Sequence, residues 1–124
     1  MVATDIGYAL AALVAAGIIT IGARFILAPK RGAAGFGVPE EQAGDHAYLT
    51  VKGIRDIASG LFVLILMAAG ATHLLGWVIM AATIIPLADA TIVLGNGGPK
   101  SIAWGVHGLT AAVMLVTSAL LLIS

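Results

Sequence analysis

Three long apolar runs constrain this chain more than any other feature of its sequence. They cover residues 6–28, 48–94 and 101–123 of the 124. A helix needs about 20 apolar residues, at about 1.5 Å rise each, to cross the hydrocarbon core of a bilayer. Because 60% of the residues are hydrophobic and only 10% are charged, a soluble domain of this length could not bury them all. The sequence therefore predicts a helical chain whose partner is the lipid bilayer.

The middle run is long enough for two spanning helices. Glycine and polar residues interrupt its centre, at Gly70, Thr72, His73 and Gly76, and they predict a tight turn there. The first run follows an N-terminus without basic residues and is too long for the apolar part of a secretory signal, so we expect it to stay as a helix. The prediction is an all-α, antiparallel four-helix transmembrane bundle forming one domain over 1–124. Its helices are expected at 6–28, 48–69, 74–94 and 101–123, with a long loop at 29–47.

Basic residues predict the orientation of this bundle. Lys30 and Arg31 lie in the first loop and Lys100 lies in the third, whereas the opposite side, with both termini and the turn near His73, has no Lys or Arg. Because basic loops stay in the cytoplasm, we expect loops one and three to be cytoplasmic and both termini to face outward. The predicted location is the inner, or plasma, membrane, with several passes through it.

A cluster of polar residues near this predicted cytoplasmic surface is where a function would be found. Four of its members, one on each predicted helix, lie about 6–10 Å below the surface, at a depth where a charge facing lipid costs about 2 kcal/mol or more. They are Arg24, Arg55, Asp89 and His107. We therefore expect these side chains to point into the bundle, to pair, or to reach the interface. The cluster consists of Arg24, Lys52, Arg55, Asp56, Asp89 and His107.

Helical spacing groups further residues with this cluster. On the second predicted helix, Lys52, Arg55, Asp56 and Ser59 recur at intervals of three and four, which places them on one face. On the fourth, Trp104 and His107 are three residues apart. On the third, Asp89 follows Pro86, which removes a backbone donor and favours a kink.

Several classes of site are disfavoured by composition. The chain has no cysteine, so disulfides, thiolate metal sites and cysteine nucleophiles are excluded. One His with two Asp is too sparse for a metal site, and no phosphate-binding or nucleophile-elbow motif is present, so we predict neither metal nor cofactor. The formal net charge of zero gives no reason to expect nucleic acid as a partner.

Five short segments of the sequence resemble a known family. They are Gly22-Ala-Arg-Phe, Gly35-Phe-Gly-Val-Pro39, Lys52-Gly-Ile-Arg-Asp-Ile-Ala-Ser-Gly60, Pro86-Leu-Ala-Asp89 and Gly105-Val-His-Gly108. Together they are similar to the small four-helix membrane proteins of the domain-of-unknown-function family numbered 4267, with a weaker likeness to DoxX-like membrane bundles. The resemblance implies the four-helix fold, its topology and a bacterial origin, and it implies no activity.

Our first functional hypothesis is an intramembrane pocket, open to the cytoplasm, that binds a small amphipathic molecule. The ligand-binding candidates are Arg24, Lys52, Arg55, Ser59 and Trp104. Asp56, Asp89 and His107 are the candidate catalytic residues for acid/base chemistry of the isomerase or cyclase type. The cluster contains three cations and two carboxylates when His107 is neutral, so one anionic head group would balance it.

Other interpretations stay open at this level. The charged residues could form a structural ion-pair layer that locks the bundle, and the small residues of the first and fourth helices could drive homo-oligomerisation. A small transporter is a third hypothesis, although it would need polar groups that continue to the outer surface. The loop at 29–47 is either a solvated connector or a lid that folds back over the polar layer.

Overall fold

The computed structural model describes residues 1–39 and 44–124, and every regular element in these two ranges is helical. The predicted all-α class is therefore confirmed for the described part of the chain. Six α-helices precede a π-helical segment at Ala103–Gly108, and a seventh follows it. The α-helices are α1 (Val2–Leu27), α2 (Pro29–Phe36), α3 (His46–Ala68), α4 (Thr72–Ala82), α5 (Ile84–Gly95), α6 (Lys100–Ile102) and α7 (Leu109–Leu122).

Three helical stretches are long and apolar enough to cross a membrane. They are α1, the joined pair α4 and α5 over Thr72–Gly95, and the C-terminal stretch Lys100–Leu122. These apolar helices indicate a lipid bilayer environment. The remaining long helix, α3, has 23 residues but carries Lys52, Arg55 and Asp56 in its first half. That α3 is a fourth span stays a prediction.

The helix α1 is central to the packing, because it contacts both α3 and α7 along its length. Its closest approach to α3 is at two glycines. A Cβ atom added at Gly22 would lie 2.5 Å from the carbonyl oxygen of Gly53, and the reverse substitution would bring the same clash. Lipid tails are as apolar as the helices, so close backbone contact of this kind is a main source of helix association in a bilayer. The helix α4 packs on α7 in turn.

Two apolar clusters fill the interior. The larger includes Ala11, Leu75, Ile79 and Leu121, in the half of the molecule that holds both termini. The smaller consists of Ala90, Val93 and Ala103 at the opposite end, with Phe36 packed against it. Because α5 packs on the π-helical segment at this end, Asp89 and His107 are brought to the edge of the smaller cluster.

Two interruptions divide the long middle run. Gly70 lies between α3 and α4 with φ of 66°, a conformation that glycine adopts without strain. Gly76, by contrast, lies inside α4 and packs against Leu122. The second interruption is at Thr83, between α4 and α5. Pro86 explains it, because proline has no N–H to donate to the carbonyl group four residues earlier.

The first loop contains a helix that hydrophobic periodicity did not reveal. This helix, α2, begins with Pro29 at its first position and ends before Gly37, whose φ is 102°, and both residues are typical of these helix ends. It folds back over the end of the bundle. Gly37 packs on Val93 and Ile102, so there is no space for a side chain at that position. We call residues 29–38 the cap; residues 40–43 of the predicted loop lie outside the described part.

Candidate functional site

The cap, α1, α3, α5 and the π-helical segment meet around a compact group of polar and aromatic side chains. Three of the predicted catalytic residues and one predicted ligand-binding residue belong to this group, together with two phenylalanines that the sequence did not single out. Its members are Phe25, Phe36, Lys52, Asp56, Asp89 and His107.

Lys52 and Asp56 form one ion pair of the site. Lys52 Nζ lies 2.8 Å from Asp56 Oδ2, one helical turn along α3. The same ammonium group lies 4.3 Å from the ring centroid of Phe25 and 4.6 Å from that of Phe36, which are cation–π distances. A single cation thus links α1, α2 and α3. About a third of the Lys52 side chain is still exposed, at 32%.

His107 and Asp89 form the second pair. His107 is 7% exposed, and its Nε2 lies 2.8 Å from the carbonyl oxygen of Phe36. A carbonyl oxygen only accepts hydrogen bonds, so Nε2 carries a proton and donates. The other nitrogen, Nδ1, then faces Asp89, whose Oδ2 lies 4.0 Å away.

Phe36 contacts a member of each pair. Its ring centroid lies 4.5 Å from that of His107, in addition to its contact with the Lys52 ammonium group. It also meets the ring of Phe25 edge-on, with the centroids 6.0 Å apart and an interplanar angle of 69°. The polar layer is therefore organised around an aromatic ring that the cap supplies.

Asp89 differs from Asp56 in its hydrogen bonding. Asp56 accepts from Lys52, whereas the Asp89 carboxylate makes no hydrogen bond to any residue in the ranges 1–39 and 44–124. Its side chain is 24% exposed, so its oxygens can be reached from outside. Asp89 is thus the group in the site best placed to accept a hydrogen bond or a proton from a bound molecule.

The π-helical segment determines where His107 points. A π turn holds about one residue more than an α turn. If α6 continued as an α-helix, His107 would therefore lie at a different angle around the helix axis. Turns of the π type occur often at functional sites. No pattern in the sequence marks this segment, because apolar and polar residues within Ala103–Gly108 alternate as they would in an ordinary α-helix.

The other predicted ligand-binding residues lie away from this group. Arg24 is exposed, and its Nη2 donates to the carbonyl oxygen of Arg31 in the cap at 3.4 Å. Arg55 is exposed on the outer face of α3, and Ser59 donates to the Arg55 carbonyl within that helix. Trp104 is 62% exposed. Of the residues predicted from the sequence, the structure brings together Lys52, Asp56, Asp89 and His107.

A small open cleft of about 140 Å³ lies beside Lys52. Side chains from four helices line it, among them Phe25, Phe36, Leu49, Lys52, Ile92 and Asn96. A wider surface groove of about 670 Å³ runs between the cap and the start of α3, next to the turn after α5. In the described part of the chain, no group of three or more His, Asp or Glu side chains is close enough to hold a metal ion.

An all-helical chain with three helices able to cross a bilayer and a polar site at one end belongs to the class of helical membrane proteins. Within that class, the chain belongs to the family described as Domain of unknown function (DUF4267), whose profile matches residues 15–121. The family predicted from the sequence segments is thereby confirmed, and the likeness to DoxX-like bundles stays a prediction. No curated protein and no solved structure matches the chain significantly.

Proposed function

We propose that this protein binds a small amphipathic molecule at the site under its cap and performs acid/base chemistry on it, of the isomerase or cyclase type. One observation carries the proposal: the Asp89 carboxylate is partly exposed, faces His107 Nδ1 at 4.0 Å and has no hydrogen-bond donor in the described ranges. A carboxylate that served only to lock the helices would have such a donor, because ionisable groups inside membranes pair with one another or with the backbone.

The geometry supports distinct roles for four residues. Asp89 is the base that removes a proton from a carbon next to a polarised carbonyl group of the ligand. Asp89 passes this proton to His107 Nδ1, which carries none while Nε2 donates to the Phe36 carbonyl oxygen, and Nδ1 then delivers it to the ligand at a second position, so the reaction conserves protons. Lys52 stabilises negative charge on the ligand oxygen, and Asp56 keeps the ammonium group in place.

We also propose the membrane topology that would give a ligand access. The helix α3 is the fourth span, both termini face outward, and the site lies in the cytoplasmic half of the plasma membrane. The position of Lys30, Arg31 and Lys100 supports this orientation. Because α3 packs chiefly on α1, and α5 packs chiefly on the π-helical segment, the ligand enters from the bilayer between α3 and α5.

The test is mass spectrometry of the compounds that copurify with the protein. Wild type is compared with Asp89→Asn, which removes the charge and keeps the shape, in the same detergent. Asp5→Asn is the matched control, because Asp5 is exposed in the first turn of α1 at the other end of the molecule. A compound retained by wild type and Asp5→Asn but lost from Asp89→Asn supports the proposal. Identical compounds in all three samples would overturn it.

A second candidate function is a structural lock, and a different observation favours it. The Lys52 ammonium group contacts Asp56 and two phenyl rings from different helices, so it holds α1, α2 and α3 together without any ligand. On this hypothesis the protein acts through partners or as a homo-oligomer. Loss of thermal stability in Asp89→Asn, together with unchanged copurified compounds, would favour the lock over the pocket.

A further inference from the structure

Two arginines lie together where the cap meets α1, apart from the site of the proposed function. Arg24, in the last turn of α1, donates from Nη2 to the carbonyl oxygen of Arg31 at 3.4 Å. Its guanidinium group also lies on Gly35, where an added Cβ atom would be 3.4 Å from Arg24 Nη1. Arg31 and Gly35 are four residues apart on α2, so the guanidinium group of Arg24 lies on the face of the cap that carries Arg31.

Neither arginine has an anionic partner in the described part of the chain. Both residues are exposed, and no carboxylate in the ranges 1–39 and 44–124 forms an ion pair with either of them. A guanidinium group has five N–H donors, arranged in a fork that matches the oxygens of a phosphate group. Arg24 gives one of these donors to the Arg31 carbonyl oxygen. Because two cations on one face repel each other, an anion bound between them would stabilise the arrangement.

We propose that this arginine pair binds the phosphate group of an anionic phospholipid. The helix α1 is long and apolar enough to cross a bilayer, and such a helix has its last turn, which carries Arg24, near one lipid–water interface. Basic side chains at this level meet the negatively charged head groups of the membrane surface. A head group such as phosphoglycerol carries no cation, whereas the quaternary ammonium group of phosphatidylcholine would meet two guanidinium groups.

The surface of α1 beside Arg24 favours a lipid over a free phosphate ion. Leu13, Gly17 and Ile21 are exposed, and they recur every four residues in a line that leads to Arg24. An added Cβ atom at Gly17 would meet nothing within 4 Å, so an acyl chain can lie against the helix there. From Leu13 to Arg24 the helix rises about 16 Å, about half of the hydrocarbon core. This length fits the acyl chain of a lipid in one leaflet.

The experiment is native mass spectrometry of the full-length protein, released from detergent and titrated with dioleoyl phosphatidylglycerol or dioleoyl phosphatidylcholine. These two lipids have the same acyl chains and differ in the charge of the head group. We expect wild type to bind its first phosphatidylglycerol molecule about tenfold more tightly, which corresponds to about 1.4 kcal/mol. Arg24→Gln/Arg31→Gln should abolish this preference. The matched control is Lys30→Gln/Lys100→Gln, which removes two exposed cations from the same end of the molecule and should keep the preference.

Equal affinity of wild type for the two lipids would overturn the proposal. So would an equal loss of preference in the arginine and lysine double variants, because it would show attraction to the total charge and not to the arginine pair. If the double arginine variant fails to fold, Arg31→Gln alone serves, since the Arg31 side chain makes no hydrogen bond or ion pair in the described ranges. It should lower the preference, and full retention would contradict the site.

A competition experiment separates the lipid from a free phosphate ion. Wild type loaded with phosphatidylglycerol is mixed with a large excess of inorganic phosphate before it is released from detergent. The lipid should stay bound, because its acyl chains contact α1 as well. Displacement of the lipid by inorganic phosphate would show that the arginine pair is a site for the free ion, and it would overturn the lipid assignment.

Discussion

The imidazole group of His107 is joined to Phe36 in two ways. Its Nε2 donates to the Phe36 carbonyl oxygen at 2.8 Å, and its ring centroid lies 4.5 Å from the phenyl centroid. The residue that faces Asp89 therefore also holds the last residue of α2 in place. The position of the cap and the geometry of the proposed acid/base pair therefore both depend on the His107 side chain.

Replacing His107 should loosen the cap. A hydrogen bond contributes about 1 kcal/mol net, so His107→Ala should raise the open population of the cap about fivefold. Trypsin cleavage after Lys30 and Arg31 should accelerate by the same factor, because proteolysis follows the open population when opening is fast. His107→Gln should restore much of the protection, since its amide group can donate to the Phe36 carbonyl oxygen.

The control for this prediction is His73→Ala. His73 Nε2 also bonds a backbone carbonyl group, that of Ser124, at 2.7 Å, but at the opposite end of the molecule. Loss of the His73 side chain should leave the rate of trypsin cleavage in the cap unchanged. Equal cleavage rates for His107→Ala and wild type would show that the bond to Phe36 does not hold the cap.

The close contact of α1 with α3 predicts opposite effects for two substitutions on the same helix. Gly22→Ala brings a Cβ atom against the Gly53 backbone and should destabilise the fold by about 1–3 kcal/mol. Gly17→Ala meets no atom within 4 Å and should be neutral or stabilising by up to about 1 kcal/mol, since alanine favours helix. Thermal unfolding of both variants in one detergent measures the difference. A Gly22→Ala variant as stable as Gly17→Ala would rule out this helix crossing.

The Lys52–Asp56 pair should be energetically coupled. Lys52→Met leaves the Asp56 carboxylate, 13% exposed, without its counter-ion and should destabilise the protein by more than about 1 kcal/mol. Adding Asp56→Asn to the Lys52→Met variant should then lower the free energy of unfolding by less than the same substitution does in wild type. The measurement is a double-mutant cycle of unfolding free energies, with a coupling of about 0.5–3 kcal/mol expected. The control cycle combines Lys100→Met with Asp56→Asn, and the two changes in unfolding free energy should add. If they also add for Lys52→Met with Asp56→Asn, the ion pair does not couple the two residues.

A designed disulfide tests the packing of α1 on α7. The chain has no cysteine, so an introduced pair has no competitor. A Cβ atom at Gly7 would lie 3.6 Å from that of Leu120, within the usual range of about 3.5–4.5 Å for a disulfide. The same Cβ atom would lie 2.7 Å from Leu121 Cδ2, so the flexible Leu121 side chain has to shift. With that shift, the double variant Gly7→Cys/Leu120→Cys should oxidise and migrate faster on a non-reducing gel. Gly17→Cys/Leu120→Cys should stay reduced, and cross-linking of both pairs to the same extent would contradict the packing.

Sequence reasoning located much of the candidate site, but not its internal arrangement. The spacing of Lys52 and Asp56 placed them on one face of a helix, but it left open which acid pairs with which base. Sequence reasoning also placed Asp89 and His107 in the site, because polar residues at similar depth inside apolar helices are expected to meet. The outward position of Arg55 could not be predicted from the sequence. It depends on the rotation of α3 about its own axis, which follows from the glycine contact with α1.

The all-helical class, the apolar helices and the residues from which a site could form follow from hydropathy and charge, which are properties of single segments. Three features appear only in the folded protein: α2 folds back over the bundle, Phe36 contacts both polar pairs, and a π-helical turn directs His107 towards Asp89. These features depend on contacts between residues as far apart as Phe36 and His107. No local pattern encodes such contacts, because the close packing that selects them exists only when all the helices are in place.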